Sequence, residues 1–194
     1  MANTFNIVTH GILCSTNTYL IWRYGNSATR WLNLNRTLYI LYGATGAVAY
    51  GRNERRSVLN YYYNKLHDIC YVCGSALTNI HLANQIALQF EYFQDSKPSY
   101  LLWSNVLSFG LPIFCFTYYV ILRSDDYELT QSLCKGSAFL TILLGGTVNS
   151  WSTIFSGFFY FMAYDCEVLK VQEDFYAYFR NAYNLLVASA QMLL

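Results

Sequence analysis

The sequence predicts an all-α, multi-span helical integral membrane protein with a transmembrane hairpin and a C-terminal amphipathic helix. Three observations carry this expectation. Charged residues make up only 12% of the 194-residue chain, about half the ~25% usual in soluble domains. Hydrophobic residues reach 55% and aromatic residues 19%, which excludes a disordered chain. Several long stretches carry no charge at all.

Three of these stretches, within 5–93, read as weaker or amphipathic spans. Phe5–Trp22 is 18 residues long and contains Asn6, His10 and Asn17. Thr37–Gly51 is 15 residues, about 22 Å as a helix and short of a ~30 Å hydrocarbon core. It reaches the needed length if Trp31–Arg36 joins it and Arg36 snorkels to the interface. Ile69–Phe90 is 22 residues and contains Asn79, His81, Asn84, Gln85 and Gln89.

Two stretches are stronger. Ser99–Leu122 and Ser137–Tyr164 run for 24 and 28 uncharged residues, each enough to cross a bilayer. Lys97 and Arg123 bound the first, and Lys135 and Asp165 the second. The short polar link between them predicts an antiparallel transmembrane hairpin over 99–164. Pro112 predicts a kink near Ser108.

The tail, 166–194, reads as an amphipathic surface helix. Val168, Val171, Phe175, Tyr178, Ala182 and Leu186 recur at helical spacing, with Glu167, Lys170, Asp174 and Asn181 off that stripe. Asn184–Leu194 carries no charge, and is expected to dock against a partner. With no repeat or linker, residues 1–194 form a single membrane domain. Two basic clusters, Arg23/Arg30/Arg36 and Arg52/Arg55/Arg56/Lys65, fall on opposite sides if both early runs span, against the tendency of basic loops to share one side. Three to five spans are expected.

Net charge is +1. Residues 1–97 hold 8 basic and 4 acidic side chains (+4), and residues 98–194 hold 4 and 7 (−3). Neither half resembles a nucleic-acid surface. The N-terminal stretch lacks a basic n-region and a small-x-small cleavage site, so a cleaved secretory signal is not expected.

The functional pattern is small residues at helix-packing spacing: Gly43, Ala47 and Gly51; Ser104 and Ser108; Gly146, Ser150, Thr153 and Gly157. Within lipid, small residues let backbones approach and so drive helix association. His10 and His81, inside uncharged runs, are candidate haem b ligands or simply hydrogen-bonded side chains. His81 lies on a polar stripe with Thr78, Gln85 and Gln89. Cys70 and Cys73 form a CxxC followed by Gly74 rather than His, so covalent haem attachment is excluded, and no second pair completes a zinc site. The placement of the six cysteines favours reduced thiols. No nucleophile elbow, phosphate-binding loop, dinucleotide fingerprint or HExxH occurs.

The expectation is therefore a non-catalytic structural or assembly subunit of a large membrane complex, with other membrane subunits and lipids as partners and no nucleic acid. The expected host is a mitochondrial inner-membrane respiratory complex or ATP synthase. The alternatives are a haem- or quinone-associated anchor and a small channel or carrier.

Overall fold

The computed structural model describes residues 2–52, 58–89, 117, 127–168 and 176–194. Among them the fold is all-α, with six long helices: α1 Ala2–Tyr24, α2 Arg30–Arg52, α3 Val58–Gln89, α4 Tyr127–Thr147, α5 Trp151–Val168 and α6 Tyr176–Met192. Each helix packs on the next, and α6 returns to α1, so the contacts close into a ring. The central stretch of α3, Cys70–Leu82, is buried on every face, as expected of a helix surrounded by others.

Side-chain pairings give the helix directions. Tyr42 lies beside Tyr63 and Asn35 beside Thr78, so α2 runs against α3. Cys134 reaches Tyr71 and Thr141 reaches Asn79, so α4 runs with α3. Tyr164 meets Ser75 while Tyr160 lies near Thr78, so α5 runs against it. The end of α1, the start of α2, the end of α3 and the start of α5 therefore share one end of the bundle.

The first two runs form α1 and α2, and α2 does begin upstream of Thr37, at Arg30. Arg36 does not snorkel outward as expected: it is 1% exposed. It falls on the inward face of α2 with Leu32, Asn35, Tyr39, Tyr42, Gly43 and Gly46.

Ser137–Tyr164 is not one span. The chain turns at Val148–Ser150, between α4 and α5. Asn149 sits at φ 52°, the left-handed conformation asparagine tolerates better than most side chains. The Ser150 amide donates to Gly145 O (2.9 Å) and the Asn149 amide to Gly146 O (3.2 Å). This is the Schellman pair that closes a helix C-terminus. Ser150 then caps α5, its Oγ accepting from the Thr153 amide at 3.4 Å. A helical hairpin thus exists at 127–168, with Lys135 on α4 paired to Asp165 on α5. Ser99–Leu122, with Ser104, Ser108 and Pro112, lies outside the described residues apart from Thr117.

The tail also differs from expectation. Cys166–Val168 ends α5, and α6 begins at Tyr176. Tyr178, placed on the apolar stripe, is 64% exposed, while Arg180, Asn181 and Asn184 are buried. These three side chains meet Tyr63 of α3, Thr9 of α1 and Tyr42 of α2. No described helix is long and apolar enough to cross a membrane.

Candidate functional site

The interior is polar to an unusual degree, and two layers of buried hydrogen bonds tie the helices together. The lower layer centres on His10 of α1. Its Nδ1 donates to Asn6 O at 2.7 Å, and the Tyr63 hydroxyl of α3 donates to its Nε2 at 3.0 Å. That assignment, inferred from the partners, makes the ring a neutral tautomer. Arg180 of α6 donates from Nη1 to the same Tyr63 oxygen at 3.2 Å, with its guanidinium 5.8 Å from the Tyr63 ring centroid. Tyr42 of α2 donates to Asn184 Oδ1 of α6 at 3.1 Å, and Thr9 donates to Asn181 Oδ1 at 2.5 Å. Four helices therefore meet at one connected group.

Glycine makes this layer possible. A Cβ on Gly46 would strike the His10 ring, and one on Gly43 would lie 2.7 Å from His10 O. The α1 backbone thus rides directly on α2, as small residues permit.

The upper layer joins α2, α3, α4, α5 and α6. Asn35 Nδ2 donates to Gly74 O (2.9 Å) and Thr78 Oγ1 (3.2 Å). Asn79 Nδ2 donates to Ser137 O (2.7 Å), and Thr141 Oγ1 donates to Asn79 Oδ1 (2.6 Å). The Tyr164 hydroxyl donates to Ser75 Oγ at 2.9 Å, and Gln191 Nε2 donates to the Tyr160 hydroxyl. Gly74 is required here, because a Cβ would collide with the Tyr39 hydroxyl.

His10 and His81 are not brought together. His10 packs at Gly46, whereas His81 Nδ1 lies 3.0 Å from Thr29 Oγ1. Those contacts are 17 residues apart on the sequence through α2, about 25 Å along a helix. Of the polar stripe, Thr78 and His81 are buried and Gln85 is exposed. Cys70 and Cys73 are buried, and no metal-ligating group of three or more side chains occurs among the described residues.

The small residues divide. Gly43 and Gly157 pack as expected, and a Cβ on Gly157 would lie 2.8 Å from Ile142 N. Gly51 and Gly146 have nothing near them, Ala47 is half-buried, Ser150 is a cap and Thr153 is buried. The contacts the spacing missed are Gly46 and Gly145, the latter against Ile154. A step of three from Gly43 would have found Gly46. Tyr42, Tyr63, Arg180 and Asn184 carried no signal beyond their residue type.

Comparison with protein-family models, curated proteins and solved structures returns no match for this chain.

Proposed function

We propose that the chain is a non-catalytic helical subunit of a membrane complex, holding neighbouring subunits and lipids in place rather than performing chemistry. The observation that carries this reading is the inverted sorting of side chains. Asn6, His10, Asn17, Asn35, Arg36, Arg180, Asn184 and Gln191 are buried beside a tyrosine-rich apolar core, while Phe5, Val8, Ile12, Leu34, Leu41, Val48, Phe139, Leu143, Phe155 and Phe158 point outward. A water-soluble bundle places those two sets the other way round. In lipid the arrangement is favourable, because interior hydrogen bonds hold helices together where hydrophobicity cannot.

Polar residues on the inward faces of α1 and α2, Asn6, His10, Asn17, Asn35 and Arg36 among them, lower the averaged hydropathy of these two helices. Sorted by face, the outward row of α1 from Phe5 to Trp22 holds no charge, a length of about 26 Å. The row of α2 from Leu34 to Gly51 is the same length and equally uncharged. An apolar surface of this extent needs a partner, whether acyl chains or other helices.

The compartment we propose is the mitochondrial inner membrane, with a respiratory complex or ATP synthase as host. That part rests on where small multi-helix accessory subunits accumulate, and on no particular residue here. The test is extraction and size. Retention in the pellet after a high-salt carbonate wash, and migration in a larger assembly on a native gel in mild detergent, is the expected result. Release into salt buffer as a stable monomer overturns it.

A further inference from the structure

Among the described residues Arg36 has no acidic partner. It is 1% exposed, and neither its Nε nor its Nη1 meets an acceptor. A guanidinium taken out of water without a counter-charge is costly, and such groups are normally paired or hydrogen-bonded. Asn35 Oδ1, on the adjacent residue, and Gln191 Oε1 are also buried without donors.

The end of the bundle above Arg36 is uniformly basic among the described residues. Arg23 closes α1 and Arg30 opens α2, both exposed. The described acidic residues Asp68, Glu128, Asp165 and Glu167 lie in the first half of α3, at the start of α4 and at the end of α5, which is the opposite end. Long side chains on a helix lean toward its N-terminus. That direction on α2 leads from Arg36 toward Arg30, whose Cα lies six residues and about 9 Å nearer the N-terminal end.

The same end carries interfacial rings. Trp22 is 79% exposed and Trp151 is 69% exposed, and Arg30 lies over the Trp31 ring with 5.8 Å to its centroid. Exposed tryptophans beside arginines are typical of headgroup level, where an amphipathic ring meets both water and acyl chains.

We propose that this end binds the phosphate of an anionic phospholipid headgroup, with Arg23 and Arg30 drawing it in and Arg36 donating from the floor of the site. The proposal rests on the membrane reading above. The shared chemistry, a phosphate on a guanidinium fork, also fits free phosphate, and the experiment separates the two.

The full-length protein is purified in neutral detergent and offered equal amounts of phosphatidylglycerol and phosphatidylcholine, with retained lipid counted by native mass spectrometry. Wild type should retain phosphatidylglycerol preferentially. Arg36→Gln should lower that retention about tenfold, since hydrogen bonds to charged groups are the strong ones. Arg23→Gln and Arg30→Gln should each lower it about fivefold. Equal retention of both lipids by wild type, or an unchanged preference in Arg36→Gln, overturns the proposal. If Arg36→Gln does not fold, the Arg23→Gln/Arg30→Gln double variant decides: a lost preference supports the site and an unchanged one removes it. Millimolar inorganic phosphate should not displace the lipid; if it does, the ligand is free phosphate and the lipid assignment falls. A parallel flotation with pure phosphatidylcholine vesicles isolates the underlying reading. A chain that floats without headgroup preference loses only this site, and one that stays in the aqueous fraction loses the membrane reading itself.

Discussion

Replacing Gly46 with alanine adds one methyl group at the closest approach of α1 and α2. In an open helix interior the change is favourable, because alanine exceeds glycine in helix propensity by about 1 kcal/mol. Here the new carbon would fall 2.6 Å from His10 Nε2 and 2.8 Å from Cγ. The ring has little room to yield: Tyr42, Tyr50 and Tyr63 rings surround it with centroids 5.2–5.4 Å away. Overpacking costs about 1–3 kcal/mol. Driving the ring off Tyr63 leaves buried groups unpaired, at about 1–3 kcal/mol more. After the propensity gain, the net loss should be about 1–5 kcal/mol. For a chain of this size that lowers Tm by about 2–20 °C. Gly51→Ala is the control. It sits on the same helix with nothing within 4 Å, so it should leave Tm unchanged or slightly raised. The assay is thermal unfolding in detergent, followed by helical circular dichroism. A His10→Ala partner completes a double-mutant cycle and should recover part of the Gly46→Ala loss. Equal Tm values for Gly46→Ala and Gly51→Ala would refute the close packing of α1 on α2.

Three further outcomes are expected by the same assay. Gly157→Val should destabilise by several kcal/mol, because a Cβ there meets the backbone at Ile142 N and Ala138 O, whereas Gly146→Ala should be neutral. Asn149→Val should cost about 1–2 kcal/mol through the left-handed backbone at the α4–α5 turn, and Asn149→Gly should be tolerated. Asn79→Leu should cost about 2–3 kcal/mol, since it removes the bonds to Ser137 and Thr141 and leaves the Thr141 hydroxyl only its longer bond to Ser137 O. In that background Thr141→Val should cost less than it does alone.

The existence of the early helices was legible because uncharged runs of helical length leave the chain few alternatives. The break at Val148–Ser150 was hidden, since none of its residues is charged and none is proline. Its signal was Gly145-Gly146 followed by Asn149 and Ser150: an asparagine able to take the left-handed turn, then a capping serine. The facing of α6 toward the other helices was not legible in its apolar spacing. Tyr178 lies exposed, and Ala182 and Leu186 are half-buried. The structure turns Arg180, Asn181 and Asn184 inward, where they meet Tyr63, Thr9 and Tyr42. Arg36 is likewise turned inward on α2, on the same face as Leu32, Tyr39 and Tyr42.

The central claim is that the outward rows of these helices contact acyl chains. Nitroxide labels at Val8, Leu41 and Phe158, read by electron paramagnetic resonance in vesicles, test it most directly. The account predicts that dissolved oxygen relaxes all three labels more strongly than a water-soluble nickel chelate does. The reverse order at these positions would place them in water and contradict it.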